Sequence, residues 1–351
     1  MAETDLVGQG NRAAFGAVPH EFPTLFRRPD QTHETLYVLT VCWNFARFRS
    51  RWRLFEDFQL HMQQSGVVLY IAEVALGARD FVVTEAGNPQ HLQLRTHHEV
   101  WVKENALNLL AQRLPPDWTK VAWVDADIRF LRPDWANETL HVLEHYPMAQ
   151  LWSQAHDLTS DYELTRTTPD RSFVAAYHAR HDVPWAPVTP PPSYYYGPSI
   201  GGVWGHTGLA WAARREWWDG VGGLYDMAIL GSGDWYMAFS MLGDLHHLHG
   251  LMRSALAPSL RAWEARTARS RWAERPLQHN LGLVPGLIVQ YNHGTKADRR
   301  YESRDQILIN NHFEPIEDLK RDSQGLWELT DRNPQLRRDI QRYFAARRED
   351  G

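Results

Sequence analysis

A single cysteine, Cys42, rules out an intrachain disulfide and a cysteine-rich zinc site anywhere in this 351-residue chain. No apolar run approaches the roughly 18 residues needed to span a bilayer. The first ten residues are polar and acidic, unlike a signal peptide, so a cytoplasmic protein without a membrane span is expected. Lysine is scarce: Lys103, Lys120, Lys296 and Lys320 are the only four, and the remaining basic charge is arginine. A net charge of −5 gives no global pull toward nucleic acid. Internal repeats are absent too. What the chain does have is tryptophan, sixteen of them, a density that suits stacking against flat rings as well as filling a core.

Periodicity divides the chain. Residues 1–34 are Gly/Pro/polar and read as an arm. Thr35 to Cys42 reads as a first strand, with a turn at Trp43-Asn44, and Phe45 to Gln64 as a helix carrying Phe48, Trp52, Phe55, Phe58 and Met62 on one stripe. Val67 to Ala72 is a second strand ending at Glu73, and Phe81 to Thr84 a third. A helix over Glu99 to Leu114 stops at Pro115-Pro116. Helix is expected again over Ala136 to Glu144, strand over Ala149 to Trp152, and helix over Leu209 to Gly220 and Asp234 to Leu242. Val284 to Tyr291 reads as a late strand and Pro334 to Arg348 as a basic amphipathic helix. Such alternation predicts an α/β fold, a parallel or mixed sheet with helices on both faces. His181 to Pro198 is a proline-rich loop containing Tyr194-Tyr195-Tyr196, either a groove floor or linker packing.

The richest stretch is Lys120 to Phe130. Val121 to Val124 is a continuous apolar run, as a strand covered on both faces requires, and it ends in Asp125 and Asp127. Alternation puts both carboxylates on the same side, where they suit a hard cation such as Mn²⁺ or Mg²⁺. Ligands gather at the carboxyl ends of strands in open α/β sheets. The bland alternative is a strand end turning into solvent.

In this order of parts the chain resembles the GT-A glycosyltransferases, which use nucleotide sugars on a single Rossmann-like sheet with a metal-binding Asp-x-Asp. The resemblance covers roughly residues 35–310. It implies a GT-A domain over 35–315, with 155–205 and 250–283 as acceptor-side insertions and 316–351 as a helical extension. It places Trp43, Asn44 and Glu73 at strand ends near the donor nucleotide, and Lys103 and Asn108 on the helix before the metal strand. Glu73 is equally readable as a solvated strand-end charge. The segment from Gly208 to Asp234 resembles the β-1,4-galactosyltransferase and polypeptide GalNAc-transferase type through Arg214, Trp217, Gly222, Gly223, Tyr225, Asp226, Gly231, Gly233 and Asp234. That type has two acids after its Gly-rich turn, whereas here Trp235 follows Asp234. Asp234 is the implied base for the acceptor hydroxyl, with a helix N-cap as the structural alternative.

A third matching run is Gln290-Tyr291-Asn292-His293-Gly294, followed by Lys296, Arg299, Arg300, Tyr301 and Arg304. The resemblance implies His293 as third metal ligand and the cations as partners of the diphosphate. Trp204, Tyr195, Gly233, Trp235, Arg269 and Arg271 are the expected acceptor-side residues. Asp244, His246, His247 and His249 also offer metal donors, but their spacing matches no site and they read as surface or packing.

The implied activity is metal-dependent, inverting transfer of a sugar from a nucleotide-diphosphate donor, a UDP-sugar by preference, to a hydroxyl. The acceptor is a glycan or small molecule, or a hydroxymethylated pyrimidine in DNA as in phage enzymes. Arg261 to Trp272 mixes basic and aromatic residues in the manner of a backbone-binding surface. A nucleotidyltransferase is the alternative enzyme, although the first strand lacks a Gly-rich phosphate loop. A catalytically silent sugar- or nucleic-acid-binding protein is the non-enzyme alternative.

Overall fold

Alternation along the short strand Lys120–Val124 decides how the layers are built. Val121 and Trp123 enter one hydrophobic core, Ala122 and Val124 the other. All five residues of the strand are buried, so helices cover the sheet on both faces. The computed structural model describes residues 34–179, 205–294, 299–300 and 303–350. Residues Thr35–Gly351 form one compact unit.

The strands are β1 Tyr37–Trp43, β2 Val68–Leu76, β3 His91–Thr96, β4 Lys120–Val124, β5 Ile128–Phe130, β6 Met148–Gln150, β7 Gln154–Asp157, β8 Asp170–Arg171, β9 Ala210–Arg214, β10 Arg271–Trp272, β11 Arg275–Pro276, β12 Leu281–Leu283, β13 Leu287–Gln290, β14 Leu319–Arg321 and β15 Trp327–Leu329. Seven of them form the central sheet in the order β12-β6-β9-β4-β1-β2-β3. Only β9 runs against the others, antiparallel to both β4 and β6. The expected mixed α/β sheet flanked by helices is the fold that forms. A four-stranded sheet, β5-β13-β7-β8, lies beyond the end of β4.

Helices α1 Arg49–Gln64, α2 Lys103–Ala111, α3 Trp135–His145, α4 Phe173–His178, α5 Arg215–Val221, α6 Gly233–Leu242 and α7 Ala257–Arg269 complete the layers. Phe58 and Met62 of α1 and Leu143 of α3 join one core. Leu107 and Leu110 of α2, Trp217 of α5 and Trp263 of α7 join the other. The helix Pro334–Ala345, expected as an appendage, adds Leu336, Ile340, Tyr343 and Phe344 to that same core. No helix among the described residues is long and apolar enough to cross a membrane.

Three expectations need correction. Residues 81–84 are not a strand; the third strand is β3. Their backbone instead wraps a buried carboxylate, as Val82, Val83 and Thr84 N–H all donate to Glu73. Residues 210–214 are a strand, because the run Ala-Trp-Ala-Ala sits buried on both faces between β4 and β6, and the helix begins only at Arg215. The late strand expected over Val284 to Tyr291 is shorter, β13, because Pro285-Gly286 interrupts the chain ahead of it; the separate strand β12 precedes that break and serves a different sheet.

His61 of α1 supports the strand after the Asp pair. Its Nε2 accepts the Phe130 backbone N–H at 3.1 Å, and its ring stacks on Phe130. Burial, aided by Arg129, lowers its pKa from 6.5 to about 4. The unfolded chain therefore takes up a proton at a pH where the folded chain does not, and stability falls as pH drops from 6.5 toward 4. In His61→Gln, chemical denaturation should show a shallower loss of stability across that window; an unchanged pH profile would refute the assignment.

Candidate active site

β4 ends at the mouth of a cavity of about 250 Å³ whose lining is drawn from along the chain, from Thr40 to Arg347. Asp125 and Asp127 both line it, but Ala126-Asp127 form a turn between β4 and β5, so that turn and not strand alternation brings the two carboxylates together. The Asp125 backbone N–H still donates to Leu209 O, which extends the β4–β9 ladder by one residue and fixes the direction of the carboxylate. Lys103, the first residue of α2, forms an ion pair with Asp125. Burial opposes the Lys103 charge, but Asp125, Glu104 and Asp234 outweigh it and hold the ammonium above its ordinary range. Burial likewise raises the Asp125 carboxyl, with Lys103 opposing.

Asp127 differs. Its Oδ2 lies 2.9 Å from His293 Nδ1, and the Tyr291 N–H donates to its backbone carbonyl. Burial disfavours the carboxylate, yet His293, Arg299 and Arg51 together hold it well below its usual range. Its second oxygen, Oδ1, is buried with no hydrogen-bond partner among the described residues. An ionised carboxylate oxygen left unpartnered beside an imidazole and a second carboxylate is a set that fits a divalent cation.

Asp234 stands across the cavity. The turn Gly231-Ser232-Gly233 that delivers it is glycine-rich for a steric reason: a Cβ at Gly231 would meet the Arg304 guanidinium at 2.9 Å, and one at Gly233 would meet Glu104 Oε1 at 2.7 Å. Gly231 also has φ +91. Arg304 Nη2 donates to Ser232 Oγ at 2.7 Å, which locks the turn. Ser232, not Asp234, occupies the N-cap position of α6. The Asp234 carboxylate instead accepts the Thr207 hydroxyl at 2.7 Å, while the helix N-terminus favours its charge. Trp235 follows it into the cavity lining.

Of the predicted residues, Trp43, Lys103, Asp125, Asp127, Asp234, Trp235, His293, Arg299 and Arg304 line this one cavity. Others lie elsewhere. Asn44 exchanges hydrogen bonds with the Phe48 backbone ahead of α1, and Glu73 is consumed by the 82–84 loop. Asn108 holds the Leu224 backbone, and Gly222, Gly223 and Asp226 line a different cleft with it. Arg269 and Arg271 are exposed and Arg300 is exposed, all outside the cavity lining. Gly233 shapes the turn without lining the cavity. Lys296, Tyr301, Trp204 and Tyr195 lie outside the described residues.

The structure adds residues that the sequence pattern did not single out. Arg51 and Arg347 line the cavity, and both pair with the buried Glu349. Arg51 also donates to Trp43 O, tying α1 to the end of β1. Both arginines belong to basic clusters of the sequence, Arg47 to Arg53 and Arg337 to Arg348, but nothing local says that they converge. Glu104, Trp101, His206, Thr207, Asp157 and Asp170 also line the cavity.

No family model and no curated protein matches the chain. Among solved structures it is similar to the catalytic domain of Drosophila β1,4-galactosyltransferase 7, at 13% identity and TM-score 0.27, covering 58% of this chain and 59% of that one. That match leaves more than a third of the Drosophila chain unspanned. Glucosyl-3-phosphoglycerate synthase from Mycobacterium tuberculosis, solved with Mn²⁺, UDP-glucose and phosphoglyceric acid, is similar at 12% identity and TM-score 0.34 over 87% of this chain and 91% of that one. Mouse xyloside xylosyltransferase 1 is similar at 10% and TM-score 0.25, over 80% and 93%. Overlaps of this size assign neither family nor activity.

Glu104 is 5% exposed, and Trp101 Nε1 donates to its Oε2 at 3.0 Å. Burial raises its pKa from 4.5 to about 7, with Lys103 opposing. The folded state thus keeps a proton that the unfolded chain releases, so this group lowers stability as pH climbs from 4.5 through 7. Glu104→Gln should match the wild-type melting temperature near pH 5 and exceed it at pH 8. Equal or lower stability at pH 8 would mean that Lys103 outweighs burial.

Proposed function

We propose that the chain is a metal-dependent glycosyltransferase of GT-A architecture that moves a sugar from a nucleotide diphosphate, a UDP-sugar by preference, to a hydroxyl acceptor with inversion. The observation that carries this reading is the unpartnered, buried Oδ1 of Asp127, placed with Asp125 and His293 at a strand end and ringed by arginines. Asp125, Asp127 and His293 would hold Mn²⁺ or Mg²⁺, which when bound supplies Lewis-acid stabilisation of the departing diphosphate.

The other roles belong to the chain. Arg51, Arg299, Arg304 and Arg347 supply fixed positive charge where the leaving group accumulates negative charge, and bidentate guanidinium matches phosphate oxygens. Lys103 holds Asp125 in place. Trp235 offers a flat apolar face to a sugar ring. Thr207 orients Asp234, which takes the acceptor proton as the glycosidic bond breaks through an oxocarbenium-like transition state. A glycan or small-molecule acceptor is favoured over modified DNA, because Arg269 and Arg271 stand apart from the cavity and Arg266 is engaged by the Val221 carbonyl.

Two measurements test this. Asp127→Ala should abolish metal-dependent donor hydrolysis and transfer while unfolding cooperatively; full wild-type activity in excess EDTA would overturn the metal assignment. Asp234→Asn should preserve the Thr207 contact and donor affinity but lower turnover by about 10²–10⁴. Near-normal transfer by this variant, or retention of anomeric configuration in the product, would remove Asp234 as the base.

A further inference from the structure

A second group of donors lies where α6 ends. Gly243, at φ +70, terminates the helix, and Asp244 leads into the 3-10 turn Leu245–His247. This turn brings one ligand atom from each of Asp244, His246 and His247 within 4.8 Å of one another. His246 Nδ1 is 3.7 Å from Asp244 Oδ1, and the two imidazole centroids are 4.0 Å apart. From α7, the Glu264 carboxylate accepts the Leu245 backbone N–H. Glu264 also lines, with His246 and His249, a cavity of about 400 Å³. Three donors from one turn therefore stand together, with a carboxylate from a second element and open space close by.

We propose that Asp244, His246 and His247 form a structural site for a first-row divalent cation of the zinc class, with Glu264 or a water completing the shell. Two imidazoles and a carboxylate suit such an ion better than Mg²⁺ or Ca²⁺, which prefer all-oxygen shells. Ligand atoms around tetrahedral zinc stand about 3.4 Å apart, given bonds of roughly 2.1 Å. The donors must therefore draw in by about 1 Å, and the His246 side chain, 60% exposed, has the room to swing. Arg253 and Arg261 line the same cavity, and His279 faces Asp244; the two carboxylates offset the arginines, and Arg261 is exposed.

The location gives the ion a structural task. α6 is ten residues long, about 15 Å, and carries Asp234 in its first turn. A cation at its far end would clamp α6 and the following turn against α7, out of reach of the reacting groups. The proposal stands whether or not the chain transfers sugars.

Cobalt substitution tests it. Titrating Co²⁺ into the full chain should give the intense visible bands of a four-coordinate ion at one equivalent. His246→Ala and Asp244→Asn should each weaken that binding by roughly 10–100-fold or more, whereas Asp127→Asn should retain it. Zn²⁺ should raise the thermal midpoint of the wild type but not of His246→Ala, which is safe to make at so exposed a position. Absence of the bands in the wild type would overturn the site, as would their persistence in His246→Ala. Bands lost in Asp127→Asn but kept in His246→Ala would place the ion at Asp127 and His293; this site would fall and the proposed function would stand.

Discussion

Everything at the mouth of the sheet depends on one electrostatic constraint: six carboxylates, those of Glu104, Asp125, Asp127, Asp157, Asp170 and Asp234, line one cavity. Burying even one charge without a partner costs several kcal/mol, so the fold must answer each of them. It does so unevenly. Lys103 pairs with Asp125, His293 leans on one oxygen of Asp127, Thr207 donates to Asp234, and Glu104 rises to about pH 7. Two cavity-lining carboxylate oxygens stay without a hydrogen-bond partner among the described residues, Oδ1 of Asp127 and Oδ1 of Asp170. A site in which every acid were satisfied internally would have no use for a cation; this one leaves the Asp127 oxygen open beside Asp125 and His293.

The same constraint explains why chain far from β4 in sequence must come to the cavity. Arg51 is the third residue of α1, while Glu349 and Arg347 follow the C-terminal helix, yet Glu349 is 5% exposed and grips both arginines. Asp350 continues the contact by accepting the Arg49 and Ser50 N–H groups at the start of α1. Two arginines held by one carboxylate retain a net positive charge, aimed at the cavity without the freedom of exposed side chains. Rigid guanidinium costs less to organise around an anion than a flexible one does.

Local rules made part of this legible. β4 could be read because a continuous apolar run between a helical segment and a second apolar strand ends in Asp-x-Asp, and α6 because the Gly-Ser-Gly turn precedes an apolar helical run. The mixed sheet followed from alternating elements. The misreadings share a cause: a short segment whose partner lies far away in sequence. Ala210–Arg214 has the composition of a helix and became a strand because β4 and β6 each offered it an edge. Phe81–Thr84 looks like a strand, but Glu73 provides an acceptor for three consecutive N–H groups. Gly222, Gly223 and Asp226 belong to the same resembling segment as Asp234, yet Asn108 fastens that loop to the other end of α2. Arg51 and Arg347 were visible only as members of basic clusters.

The turn before α6 shows why motif and geometry part company there. Gly231 and Gly233 are required because two charged side chains, Arg304 and Glu104, pass within a Cβ radius of the backbone on either side. Arg304 also donates to Ser232 and lies beside Asp305, itself bound by the Tyr236 hydroxyl. The turn is therefore clamped between a cation from the late chain and an acid from α2, and Asp234 inherits its position from both. A carboxylate so placed needs no cap of its own, which is why its side chain faces Thr207 and the cavity instead of its own helix. Glycine spacing in the sequence thus recorded the close approach of neighbours that only the folded chain identifies.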